Sequence, residues 1–151
     1  MAGMTNRGKY LLLEAYFRGT GAPTNLYAAL CTSANAPSAT TNTLSELTEV
    51  ATGNGYTAGG IQLNPNATDF DVLTEDDTGN IGLIQIKDLV WTASGGPLPS
   101  DSVGSRYMVI TTDEATVGNR QIIAYFDLIS DRVVSDGQTL TIQNAEIDLT
   151  E

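Results

Sequence analysis

From residue 26 to residue 149, short apolar runs recur at roughly even spacing, and each is closed by a polar cluster of Gly, Asn, Asp, Ser or Thr. That rhythm suits strands joined by turns and leaves little room for helices. Leu26–Thr32 (LYAALCT) is the first run. Leu26, Ala28 and Leu30 fall on one side, and Tyr27, Ala29 and Cys31 on the other. Neither side is polar, so this strand is predicted to be buried on both faces. The series continues with Ile61–Leu63, Phe70–Leu73, Ile81–Leu89 followed by Val90-Trp91, Arg106–Thr112, Gln121–Ile129, Thr139–Ile142 and Ile147–Leu149. Gly53-Asn54-Gly55-Tyr56 and Ser135-Asp136-Gly137 are turn signals, and Thr74–Asn80 (TEDDTGN) reads as a polar turn. Leu44–Leu47 with Val50 suits a helical turn or a short strand. Ser33–Thr43 and Thr92–Ser105 are long loops, whose composition fits a plain surface loop and a loop reaching a neighbouring subunit equally well. About seven or eight strands in this pattern predict a mainly β fold, a single β-sandwich of jelly-roll-like kind.

Residues 10–17 break the rhythm. Tyr10, Leu11, Leu13 and Phe17 follow a helical period, Thr5 or Asn6 can cap the helix, and Arg18-Gly19 ends it. Tyr10, Leu13 and Phe17 stand at i, i+3 and i+7, a stripe able to dock on a sheet or on a neighbour. A helix this short is marginal in water by itself, so it must pack on something. The chain is therefore divided into an N-terminal helical head, 1–20, and a sandwich domain, 21–151.

The 151 residues carry a net charge of −11. Residues 1–18 hold Arg7, Lys9 and Arg18 against Glu14, a net of +2, while four basic residues face 17 acidic ones in the remainder, a net of −13. So acidic a body disfavours phosphate backbones and anionic membranes. No nucleic-acid or membrane partner is expected. No apolar stretch approaches the ~20 residues of a membrane span, and the first residues lack the apolar core of a signal peptide. Histidine is absent, which removes the commonest general base and the usual Ser-His, Cys-His and His-metal constellations. Cys31 is the single cysteine and lies in an apolar run, where a small buried hydrophobe is the expected role.

Four groups were weighed as sites. Asp69, Asp71, Glu75, Asp76 and Asp77 could hold a divalent cation, but they do not match the EF-hand spacing, and a solvated loop is the expected reading. Asp127 is expected to face solvent at a strand end. Trp91, Tyr107, Tyr125 and Phe126 could line a sugar-binding face, though Trp91 and Phe126 are expected in the core. The Gly53–Gly60 glycines lack the following helix and Lys-Ser/Thr of a phosphate loop. No pair among the acidic residues is singled out for glycoside hydrolysis. The expectation is a non-enzymatic protein with no cofactor and no metal.

Residues 8–32 (GKYLLLEAYFRGTGAPTNLYAALCT) resemble the opening of a group of small tailed-phage virion proteins. These begin with a short helix ending in aliphatic-Phe-Arg-Gly, followed by a Pro-containing loop and a Leu-Tyr-Val-Ala-Leu-Phe-Thr strand. Asn54-Gly55-Tyr56 stands where the group has its Gly-Gly-Tyr turn, with Thr57-Ala58 replacing the usual Ala-Arg. Val134-Ser135-Asp136-Gly137 matches a late Val-x-x-Gly phrase. The resemblance implies a capsid decoration (cement) subunit on the outer capsid surface, made in the host cytoplasm. Its partners would be the major capsid protein and itself, as a homodimer or homotrimer. A tail or tail-fibre-associated subunit, with carbohydrate as a candidate ligand, is the alternative it implies. Arg7, Lys9, Tyr10, Leu13, Phe17 and Arg18 are the expected interface residues, because the basic, striped helix is the element in need of a partner.

Overall fold

Residues 2–150 are described by the computed structural model, and among them the chain forms ten strands and one α-helix. In order these are β1 (Ala2–Met4), α1 (Asn6–Arg18), β2 (Leu26–Cys31), β3 (Ile61–Leu63), β4 (Val72–Asp76), β5 (Ile81–Ile86), β6 (Leu89–Thr92), β7 (Ser105–Thr111), β8 (Ile122–Arg132), β9 (Thr139–Ile142) and β10 (Ala145–Thr150). They make a five-stranded sheet ordered β1-β8-β7-β2-β3, a three-stranded sheet β10-β5-β4 and a β6-β9 pair. Every pairing is antiparallel. The mainly β sandwich with a short N-terminal helix is thus as its sequence foretold.

Strand β2 is buried on both sides, again as expected, and each side has its own core. Ala28 and Leu30 join Met108, Ile110, Ala124 and Phe126 on the face turned to the two smaller sheets, where Ile86, Leu89, Trp91, Leu140 and Ile147 meet them. Ala29 and Cys31 join Val109 and Ile122 on the opposite face, under Leu44 and Leu47 of the segment after β2. Each such Leu, Ile, Met or Phe stabilises the fold by about 1.5–3 kcal/mol through burial. Beyond Ala28, β3 no longer pairs with β2. Tyr56 takes over there: its hydroxyl accepts from Leu30 N at 3.0 Å and donates to Glu49 Oε1 at 2.6 Å. The Gly53–Tyr56 turn predicted from sequence closes with bonds of 2.9 and 3.0 Å and aims that ring inward.

Three sequence expectations needed correction. The run Ile81–Trp91 is two strands in different sheets, because Lys87 breaks it by donating its backbone N–H to Asp69 O at 3.0 Å and its ammonium to the Asp69 carboxylate. Thr74–Glu75–Asp76 are strand, not turn, because Thr74, Glu75 and Asp76 pair with Leu83, Gly82 and Ile81 along an edge that leaves their side chains exposed. Asp127 lies within β8 rather than at its end. Arg106 on β7 receives it with bonds of 2.7 and 3.1 Å, so the strand can continue past a carboxylate.

Candidate interface: the amino-terminal helix and the groove beside it

Thr5 starts the helix. Its Oγ1 accepts from Gly8 N at 2.8 Å and donates to Ile122 O at 2.5 Å, while its own N–H reaches Ile123 O at 2.9 Å. One residue therefore caps α1 and fastens it to β8. Gly19, with φ of 67°, closes the helix in the left-handed conformation that glycine adopts at least cost. Ahead of the cap, β1 pairs with β8 through Gly3↔Tyr125 and Met4↔Ala124. The head set apart as residues 1–20 therefore shares a sheet with the rest of the chain.

The helix rests on β8 through Gly8, and Gly8 and Leu11 are its only buried residues. A Cβ on Gly8 would stand 2.2 Å from Ile123 O, so only glycine permits this approach. Most of the remainder of the helix faces outward, and it carries five large apolar side chains there among its charged ones. Tyr16 is 82% exposed, Phe17 75% and Leu13 53%. Leu12 and Tyr10 are also exposed, and Tyr16 packs edge-on against Phe17 with ring centroids 5.2 Å apart. An exposed apolar patch of this kind marks a contact surface.

Between α1 and the β10-β5-β4 sheet runs an open apolar groove of about 770 Å³. Leu12 and Tyr16 edge it on the helix side, Leu73 and Leu149 on the sheet side, with Ile84 and Ile147 deeper. Register explains the wall. Leu73, Ile84 and Ile147 are cross-strand partners on one face, and Glu75, Gly82 and Leu149 form the next row. Leu73 is 78% exposed, and no described atom lies within 4 Å of where a Gly82 Cβ would sit.

The interface residues expected from sequence are placed as follows. Tyr10, Leu13 and Phe17 do not dock on the sheet; they form the outer face of α1 together with exposed Lys9 and Arg18. Arg7 is half-buried, bonded to Gln121 and 4.7 Å over the Tyr10 ring. Tyr10 donates to Glu14 Oε1 at 3.1 Å. Leu12, Tyr16, Leu73 and Leu149 were missed. The first two were visible as extra apolar residues in the helix, whereas the wall positions depend on register.

The other candidates separate in space. Asp69 is buried, bonded to Asn64 N at 2.7 Å and paired with Lys87. The Asn64 backbone N–H first, and then Lys87, hold its carboxyl down at about 2. Asp71, Glu75, Asp76 and Asp77 stay exposed, and the described residues contain no group of three or more acidic or cysteine side chains placed to hold a metal. Trp91 and Phe126 are in the core as expected, while Tyr107 and Tyr125 lie on the opposite face of the five-stranded sheet. No single aromatic platform results. Arg106 holds the Asp127 carboxyl below its usual range. Burial, reinforced by Glu49, pushes the Cys31 thiol up to about 12. No helix among the described residues is long and apolar enough to cross a membrane.

In comparisons with protein families, curated proteins and solved structures, the chain matches none.

Proposed function

We propose that this chain is a structural, non-enzymatic subunit of a tailed-phage particle, a decoration or cement protein that steadies the capsid by bridging major capsid subunits. The phage part of the reading stands on the likeness of residues 8–32, Asn54-Gly55-Tyr56 and Val134–Gly137 to that group of virion proteins. The adhesive part stands on one observation: α1 leaves Tyr10, Leu12, Leu13, Tyr16 and Phe17 exposed and buries only Gly8 and Leu11 within its own chain. Adhesion needs contact area, on the order of 1,600 Å² for a stable interface, and no reacting group. The helix is the contact element of the assembled particle.

Deleting residues 1–18 is a poor test, because it also strips β1 from the edge of β8. The test is copies per particle by quantitative gel densitometry, with wild type set against Leu13→Asp/Phe17→Asp. A shell protein is present in hundreds of copies, and the double variant falls off the capsid. A handful of copies overturns the capsid reading in favour of a tail part. Full occupancy by the double variant overturns the role of the helix.

A further inference from the structure

We infer that the groove is the seat for the N-terminal helix of a second copy of this chain, so that copies join helix to groove. The claim concerns the purified chain and does not rest on the virion reading. Three observations select the occupant.

The first is that one chain carries two uncovered apolar surfaces. One is the outer face of α1, with Leu13, Phe17 and Tyr16; the other is the groove mouth, with Leu73, Leu149 and the open space above Gly82. Large apolar patches left open on a soluble chain mark contact sites.

The second is charge. Helix α1 carries Arg7, Lys9 and Arg18 against Glu14, whereas the groove face of the wall carries Glu75 and no Lys or Arg, and the remaining charges of its strands, Asp76, Glu146 and Asp148, are acidic and on the other face. Glu75 lies two residues from Leu73 on the same face of β4, and Lys9 lies one turn from Leu13 on the exposed side of α1. A helix on the wall brings opposite charges together. Two helices stacked on each other would set net positive heads face to face, which disfavours that arrangement.

The third is length. Thirteen helical residues span about 20 Å. The six residues of β5, the central strand of the wall, span about 20 Å as well. One helix therefore matches the wall in length.

Two variants, both altered at exposed positions, test the proposal. Phe17→Asp/Leu13→Asp spoils the helix and leaves the groove. Leu73→Asp/Leu149→Asp spoils the groove wall and leaves the outer helix face. Native mass spectrometry and light scattering are expected to find a homo-oligomer for wild type and a monomer for each variant, with circular dichroism unchanged. An equimolar mixture of the two variants is expected to form a one-to-one heterodimer, since one intact helix then meets one intact groove. Glu75→Lys weakens wild-type association at least tenfold. A monomeric wild type overturns the proposal, as does an apolar small molecule found filling the groove. A mixture that stays monomeric also overturns it, and a Leu73→Asp/Leu149→Asp variant that still assembles overturns it by assigning the contact to helix on helix. A wild type that assembles with itself but is not found on the capsid shell would count against the function proposed above and leave this contact standing.

Discussion

Replacing Gly8 by alanine places a methyl group where a carbonyl already stands. The new Cβ would lie 2.2 Å from Ile123 O and 2.8 Å from its C and Cα, all backbone atoms, and Ile123 O also accepts the Thr5 N–H at 2.9 Å. Moving Ile123 aside would break that bond, so α1 must lift. Overpacking of this kind costs about 1–3 kcal/mol. Alanine returns up to about 1 kcal/mol of helix propensity, since glycine is the poorer helix former. The expected net loss is about 1–2 kcal/mol. For a chain of this size, that lowers Tm by about 3–6 °C. Lifting the helix also exposes Leu11, which is 7% exposed in the native fold. Hydrogen exchange is expected to rise at the amides of α1 and of Thr5 while the β2 and β7 amides stay protected. Calorimetry and exchange mass spectrometry on Gly8→Ala read both quantities. An equal or higher Tm with α1 still protected would refute the argument that close approach to β8 fixes glycine at this position.

Tyr56→Phe is expected to cost about 1–3 kcal/mol in urea unfolding, because it leaves Leu30 N without its buried acceptor and Glu49 without its hydroxyl donor. Asp69 supplies an acid limb. Its carboxyl titrates at about 2 in the fold and near ~3.9 when unfolded, so its stabilisation is complete above about pH 4 and is lost as pH falls towards 2. It amounts to about 2 kcal/mol, and Asp69→Asn is expected to flatten the stability-against-pH curve across that window. Ile129 is 78% exposed with φ of 72°, a left-handed conformation that a β-branched side chain adopts only under strain. Ile129→Asn is expected to stabilise the fold by about 1 kcal/mol, read as a Tm rise of about 2–4 °C. Cys31, fully buried with its thiol held far above neutrality, is expected to resist thiol reagents at pH 8 until the chain unfolds.

The two-sided burial of β2 was legible because LYAALCT has no polar side to show, and the Gly53–Tyr56 turn because its glycines sit where positive φ is needed. The two ends of the helix were legible from Thr5 and Gly19. Its docking face was not. In a helix with apolar residues at Tyr10, Leu11, Leu12, Leu13, Tyr16 and Phe17, the i, i+3, i+7 rule finds several stripes, and the tie is broken by Gly8, whose missing side chain lets the helix approach Ile123 of β8. Strand β1 escaped notice because three residues, Ala-Gly-Met, carry no period. The groove was invisible for a different reason. It depends on the pairing of the β4-β5 hairpin with β10, whose partners on β5 stand 59 to 69 positions away in sequence. Asp127 was misplaced because its partner, Arg106, is on another strand.

Strand β8 also sets a timetable. Thr5 finds its partner carbonyl at Ile122, 117 residues further along the chain. During synthesis at about 5–20 residues per second, the head emerges roughly 6–23 s before the strand that will hold it. For that interval β1 has no sheet to join, and α1 shows even Leu11 to its surroundings. The nascent helix is thus at its most adhesive before the subunit that carries it exists. A cell making many copies at once must keep those heads apart until β8 arrives.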